Sequence, residues 1–412
     1  MARMSPFLPI AALLLATALI ILSIALLNTL LGVRAEIEDM SKTSIGLFMS
    51  SYFLGYVAGA HICSSFIQRV GQIRTFAALA SLASAFALSH ILVVSPSAWA
   101  LFRSGYGFCH AGMVVIVESW LNLVTEKDHR GSVLAVYSIV ALAAAGCGQM
   151  LLLLSPPAGF ALFCLVSILL SLSLLPIVMT PIANPVTSEV SPMNLRKVYG
   201  ISPLATAGVF TSGMGWGGFI GLGPSFAMGS GLGIKGVAWF MAAAFGGALL
   251  LQWPLGWLSD HVDRRRVILL NTLGTLIISL AIVLLFNGDH WAWFVLFSFF
   301  FGTLGLTSYS VCIATANDYI TRDQIISATS SLILIFAMGA VLGPLAAGLF
   351  MSWTGSSGLF LYMACLEGVY FLFALHRYKQ RPPVPEETKE LFVAFPRTGP
   401  TAAGLDQRVE SE

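Results

Sequence analysis

Thr180-Pro-Ile-Ala-Asn-Pro-Val-Thr-Ser-Glu-Val-Ser-Pro-Met-Asn194-Leu-Arg-Lys197 is the longest polar stretch inside the chain, and what flanks it decides the fold. Upstream lie apolar runs at 8–33, 45–67, 75–94, 98–123, 131–154 and 158–179, each closed by a short polar or Gly/Pro break. Downstream lie six more, at 201–225, 235–258, 267–287, 291–316, 326–352 and 357–376. Runs of about 20 apolar residues in helical form cross the ~30 Å hydrocarbon layer of a bilayer. Helices satisfy their own backbone there without water. The pattern predicts an all-α membrane protein of twelve spans in two six-helix bundles, 1–179 and 201–376, joined by a linker at 180–200. The remaining 377–412 is Pro-rich and charged towards its end, and is expected to be a disordered tail.

Composition agrees. Of 412 residues, 57% are hydrophobic and only 10% charged, with a mean hydropathy of +0.86. A soluble domain needs about 25% charged residues to cover its surface. This excludes a soluble enzyme, a disordered protein and a nucleic-acid binder, which would show clustered Lys and Arg. The first apolar run, Phe7 to Val33, is too long for a signal-peptide core and is expected to remain as a span. Cysteines 63, 109, 147, 164, 312 and 365 are scattered singly through apolar stretches, so they predict small packing residues. Neither a metal site nor a cofactor is expected. Gly-x-x-x-x-Gly-Lys-(Ser/Thr) is absent, so no ATP motor and no catalytic role are predicted.

Basic residues orient the spans. With the N-terminus inside, Arg3, Arg69, Arg74, Lys127, Arg130, Arg196, Lys197, Arg264, Arg265, Arg266 and Arg322 fall on the cytoplasmic side. Arg377, Lys379, Arg381, Lys389, Arg397 and Arg408 join them, whereas only Arg34, Lys42 and Lys235 fall outside. Both termini are therefore expected in the cytoplasm of a bacterial inner membrane. The halves also repeat. Asn122, Lys127, Asp128, Ser132 and Gly148 are matched by Asn317, Arg322, Asp323, Ser327 and Gly343, so that 122 answers 317 at an offset of 195 throughout. Parallel repeats place a solute path at their interface near the bilayer midplane.

Gly256-Trp-Leu-Ser-Asp260-His-Val-Asp-Arg264-Arg265-Arg266 closes the eighth span. A carboxylate at a helix end beside arginines pairs with them or faces the positive end of another helix, and either contact can latch one conformation. A plain cluster of positive-inside bases is the alternative for the arginines. The stretch resembles the signature loop of the major facilitator superfamily, Gly-x-x-x-Asp-(Arg/Lys)-x-Gly-x-(Arg/Lys)-(Arg/Lys), with Asp263 in place of the second glycine. The first-half copy, Ser64-Ser-Phe-Ile-Gln68-Arg69-Val-Gly71-Gln-Ile-Arg74, keeps Arg69, Gly71 and Arg74 but has Gln68 where the family has an acid. Arg103-Ser-Gly-Tyr106-Gly107 is similar to the Arg-x-x-x-Gly motif that the family carries on its fourth helix, associated with proton coupling. Phrases such as Arg34-Ala-Glu36-Ile-Glu38 and Val117-Glu118-Ser119-Trp120 are closest to a bacterial branch of that family without an assigned substrate.

Once the loops are assigned, Arg103, Glu118 and Glu367 are the charges left inside spans. Such groups cost several kcal/mol, ~2.5–3.5 at a helix centre, unless they face a cavity or a partner. Arg103 binds an anionic solute or pairs with a group on the first or fifth span. Glu118 is the leading proton carrier, or else a carboxylate joined to a base such as Arg130. His110 lies two turns from Arg103 on the same face and titrates near neutral pH, or packs. Glu367 is expected to face a neighbouring helix, and His61 and His90 to pack. The resemblance implies a cavity lined by the first, fourth, seventh and tenth spans. Their polar and aromatic residues are Asn28, Arg103, Tyr106, His110, Thr211, Ser212, Trp216, Ser308, Tyr309 and Thr315. Trp216 sits in a glycine run, Gly213-Met-Gly-Trp-Gly-Gly218, that suits either a gate or close packing.

The expected protein is a monomeric secondary transporter working by alternating access and driven by protons. It leans towards a small organic anion or polar metabolite. Efflux of drugs is one alternative, although Gly148-Gln149 stands where antiporters of the family carry Gly-Pro. A transporter-like sensor that moves no solute is the other.

Overall fold

Leu, Ala, Ile and Phe runs with few internal breakers fold as long helices, and capping residues set several of their starts. A computed structural model describes residues 7–180, 193–285, 291–321, 324–380 and residue 392. In order they form α1 (Phe7–Ile37), α2 (Lys42–Val70), α3 (Gln72–Leu92), α4 (Pro96–Val124), α5 (Arg130–Met150), α6 (Ala161–Met179) and α7 (Leu195–Ile201). These are followed by α8 (Pro203–Gly229), α9 (Gly233–His261), α10 (Arg264–Leu285), α11 (Trp291–Gly305), α12 (Ser308–Asn317), α13 (Ile325–Thr354) and α14 (Gly358–Gln380). Ser41 caps α2 by accepting from Ser44 N at 3.2 Å, and Ser95 caps α4 from Ala98 N at 3.3 Å. Pro96 then occupies the first helical position, where no amide proton is needed.

Eleven helical stretches among the described residues are long and apolar enough to span a bilayer, α11 and α12 together making one. The twelfth span is α8, uncharged throughout, whose many glycines dilute its hydropathy. The two halves use the same pairings. In the first, α1 packs on α5 and α6, α2 on α4, and α3 on α4 and α6. In the second, α8 packs on α13 and α14, α9 on α11, and α10 on α11 and α14. The halves meet through α2 with α13, α5 with α9, and α1 with α8. This is the pair of six-helix bundles that the repeat predicts.

Close crossings hold each bundle together. A Cβ on Gly213 of α8 would stand 2.1 Å from Phe336 O, and one on Gly343 of α13 would stand 2.2 Å from Met214 O. The glycine run around Trp216 thus lets α8 and α13 touch backbone to backbone, and α8 remains one continuous helix. Large apolar side chains face outward, among them Leu101, Leu284, Trp253 and Trp353. On a soluble protein so large an apolar surface would mark an interface. Here it is the lipid-facing belt, with several tryptophans near helix ends where membrane interfaces favour them.

One boundary needs correction, and two elements gain detail. The 180–200 linker is structured at its end: α7 occupies Leu195–Ile201 with Asn194 as its cap, and Met193 N donates to Ser327 O at 3.1 Å. The tenth span is broken between Gly305 and Ser308, where Leu306 and Thr307 turn the chain. Residues 377–380, assigned to the tail, continue α14. Arg3, linker residues 181–192, Arg322, Asp323 and the tail from 381 onward, Phe392 apart, lie outside the described residues.

Candidate solute pathway between the halves

Contacts between the halves gather towards one end of the helices. Gly46 of α2 meets Pro344 of α13, and a Cβ there would stand 2.5 Å from its carbonyl oxygen. Ser50 Oγ donates to Val341 O at 2.5 Å, and Gly32 abuts Pro224 of α8. At the rim, Lys42 pairs with Glu36, and both reach Ser225 of α8, Lys42 Nζ at 3.3 Å. From this seal a cavity of ≈ 220 Å³ runs between the halves towards the opposite end, which carries the α9–α10 corner at Arg264.

Thr17, Asn28, Thr29, Ser138, Gln149, Gln252 and Ser310 supply the polar part of its wall. Tyr52, Phe53, Tyr56, His110, Tyr137, Trp216, Phe245 and Phe336 supply the aromatic part. No Asp, Glu, Lys or Arg among the described residues lines it. Gln149 is tied down, because Thr29 Oγ1 donates to its Oε1 and its Nε2 donates to Ala145 O at 3.1 Å. Trp216 stands edge-on to Phe245 with ring centres 6.0 Å apart, bridging α8 and α9.

Arg103 stands directly behind this wall, 1% exposed. Its Nη2 donates to Asn28 Oδ1 at 2.7 Å, and the guanidinium lies 4.5 Å from the centre of the Tyr52 ring. Nε and Nη1 have no hydrogen-bond partner, and no carboxylate pairs with it among the described residues. Tyr52 Oη shares a 2.6 Å hydrogen bond with His110 Nδ1, which leaves His110 Nε2 unpartnered. When a neutral imidazole accepts at Nδ1, Nε2 carries the proton and is a donor. Tyr56 completes the cluster, 5.5 Å from the His110 ring. One positive charge and two idle donor nitrogens of Arg103 therefore gather behind Asn28 and Tyr52, beside the imidazole of His110 on the wall.

Glu118 is fully buried one position beyond the cavity-lining Val117, and Tyr137 Oη donates to it at 3.2 Å. Glu367 of α14 is buried within the second bundle near Cys312, Tyr362 and Tyr370, away from the cavity. Of the ten pathway residues read from the sequence, Asn28, His110 and Trp216 reach the wall. The others do not. Tyr106 is buried against Ser23 at 3.1 Å, Ser308 takes Asn271 Nδ2 at 3.2 Å, and Thr315 donates to Val311 O at 2.8 Å. Tyr309 packs on Phe336, while Thr211 and Ser212 are buried in α8. The wall also draws on α2, α5, α9 and α13, so the four-helix lining was incomplete. Rotation about a helix axis separates Tyr52 and Gln252 from their neighbours, and composition carries no trace of it. His61 is exposed rather than packed, whereas His90 is buried against Trp99 and Phe102.

At the Arg264 end, Asp260 Oδ1 accepts from Arg264 Nη2 at 2.7 Å. Arg264 is itself buried; it pairs with Asp318 and donates to Ala314 O at 3.0 Å. It thus adds a buried ion pair to the three charges counted from the sequence. Arg265 grips Asp263 with two nitrogens, at 3.0 and 2.7 Å. Burial pushes the Asp263 carboxyl up, but the hydrogen bonds and charge of Arg265 outweigh it and hold the group below its ordinary value. Arg266 donates to Tyr378 Oη at 3.1 Å. Gly71 turns α2 into α3 at φ 94°, a conformation that suits glycine, and Arg69 and Arg74 stand exposed without a carboxylate partner among the described residues. The corner with the acid is thus tightly bonded, and the corner with Gln68 is not.

Twelve spans in two like bundles around a central cavity define a membrane transporter fold. A sequence model of the Major Facilitator Superfamily matches residues 13–307 and again 205–401, so the chain belongs to that family. It is 27% identical over 379 residues to an uncharacterized MFS-type transporter of Enterobacter sp. (strain 638), covering 91% of this chain and 97% of that one. With the uncharacterized MFS-type transporter YcaD of Salmonella typhi it shares 28% identity over 382 residues, at the same coverage. Among solved structures, the crystal structure of the nucleoside transporter NupG superposes with a TM-score of 0.76 at 12% identity, over 90% of this chain and all of that one. A bacterial homolog of the human lysosomal transporter Spinster, inward-facing and unoccupied, gives 0.71 at 13% identity, over 95% and 98%. The family match establishes membrane transport as its business, and the solved structures establish the fold.

Proposed function

We propose that this chain carries a small organic anion through the cavity by alternating access, coupled to protons. The observation that carries the reading is Arg103. A guanidinium buried without a counter-charge is costly. An anion entering beside Asn28 and His110 would offset that cost, and the field it meets is positive. The apolar and aromatic walls suit the rest of a small amphipathic solute. Glu118, held by Tyr137 just behind the wall, is the proton carrier, with His110 able to hand a proton towards the solute. The excess of Lys and Arg at the Arg264 end supports cytoplasmic termini in a bacterial plasma membrane. The cavity then faces inward, and one chain holds a whole pathway, so the working unit is a monomer.

A thermal-shift screen of the purified protein tests the solute class, because ligands stabilise the state that they bind. Organic anions should raise the melting temperature of the native chain and not of Arg103→Ala. Cations that stabilise both forms equally would overturn the anion reading and favour drug efflux. In proteoliposomes, uptake of a hit should follow an imposed pH gradient and lose that dependence in Glu118→Gln. A chain that binds solutes yet never moves them would be a sensor instead.

The uncharged lining favours a second reading, a neutral ring-bearing metabolite held by Asn28, Gln252 and stacking on Tyr56 or Trp216. The structural likeness to a nucleoside transporter supports trying nucleosides in the same screen.

A further inference from the structure

Phe392 is the one described residue beyond Gln380, and it is not free. Its backbone N–H donates to Asp260 Oδ1 at 2.9 Å, the oxygen that also takes Arg264. Its ring lies on Gly256, where a Cβ would stand 2.3 Å from Cδ1. Gly256 and Asp260 are one helical turn apart on α9, so a single face receives both ring and amide. The side is packed further by the apolar cluster at this end of the second bundle.

That face of α9 has a second claim on it. Near the sealed end, α9 packs on α5 through Phe245, 3.5 Å from where a Cβ on Gly146 would stand. Further along, Gln252 lines the cavity opposite Tyr137 and Ser138 of α5. At ~100° per residue, Phe245, Gln252 and Gly256 fall within a sector of about 40°. The stripe that touches α5 at one end and borders the cavity in the middle therefore reaches Gly256 at the other. Running the antiparallel register onward brings Gly256 opposite the first turns of α5. Closing the Arg264 end would press these surfaces together, and a glycine there suits a close crossing. Phe392 occupies that place.

We propose that Phe392, seated on the Gly256–Asp260 turn, is a doorstop that holds the cavity open at the Arg264 end. The occupant is this chain's own tail, read by one aromatic ring and one main-chain amide. Removing the ring lets α5 and α9 close, so Phe392 sets the balance between the two states. The inference rests on the alternating-access reading above, because a doorstop needs a door.

Two measurements on the full chain in nanodiscs test it. With Phe392→benzoylphenylalanine, irradiation should give an intramolecular cross-link to the α9 segment around 256–260; no cross-link there overturns the seat. Spin labels at Asp128→Cys and Tyr199→Cys, with Cys147→Ala and Cys365→Ala, report the gap between the halves at the Arg264 end. In Phe392→Ala and in a chain ending at Gln380, the short-distance population should rise roughly threefold or more. Lys42→Ala, which loosens the opposite seal, is the control. If it shortens the distance and the tail variants do not, the doorstop falls alone. If neither shortens it, alternating access falls and the doorstop with it.

Discussion

At the scale of single residues, Arg103 and Asn28 make a pair whose energetics can be separated. Among the described residues, Asn28 Oδ1 is the one hydrogen-bond acceptor of the buried Arg103. Asn28→Ala should therefore lower stability by about 1–3 kcal/mol, the cost of stranding a buried polar group. Arg103→Met removes the stranded charge itself, so its melting temperature should match or exceed that of the native chain while anion binding disappears. In the double variant the Asn28→Ala penalty should vanish, a coupling that a thermal double-mutant cycle measures directly. Were Arg103 instead one arm of a structural ion pair, Arg103→Met would be the most damaging of the three. Asp263 behaves in the opposite sense. Its folded carboxyl is the stronger acid, so the grip of Arg265 contributes fully above the ordinary Asp pKa of ~3.9. That contribution is lost as pH falls through the lower folded value. Melting temperatures of Asp263→Asn and the native chain should thus differ near neutrality and converge in acid.

At the scale of helices, the repeat, the spans and their order were legible because bilayer thickness imposes a length that any apolar run displays. Charged residues inside spans were legible too, since membranes make them rare. What faces what was not. Tyr52 reads as one more aromatic in α2, yet its ring lies under Arg103 and its hydroxyl reaches His110. Arg103 reads as a wall residue, but a modest rotation of α4 leaves it behind Asn28. The glycine run of α8 had two readings, and contact with α13 chose packing. Gly213→Val should accordingly cost 1–3 kcal/mol or more through overpacking. Gly246→Ala on α9, with nothing near the added methyl, should be neutral or slightly stabilising by thermal unfolding. The break at Leu306–Thr307 was hidden because neither residue is a helix breaker; at it Thr307 and Ser308 turn their hydroxyls onto carbonyls of the preceding turn, Ser308 Oγ donating to Leu304 O at 2.9 Å.

At the scale of the whole molecule, the seal at Lys42, Glu36 and Ser225 and the bonded corner at Arg264 lie at opposite ends of one cavity. Loosening the first should favour the state open on its side. In Lys42→Ala, a Ser138→Cys thiol within the cavity should react faster with a membrane-impermeant reagent added on the Lys42 side. Equal rates in the native chain and the variant would show that the rim contact does not set the balance.

Arg103 also carries its charge into the electric field of the membrane. With anion and proton moved together, the loaded site holds Arg103, the anion and a protonated Glu118, and the empty site holds Arg103 and an ionised Glu118, so both are neutral. The ~2.3 kcal/mol that 100 mV exerts on a full charge therefore has little to act on in either stroke. A carrier built this way follows the pH gradient with little regard for membrane potential, whereas Glu118→Gln leaves the empty site a lone cation and makes its return voltage-dependent.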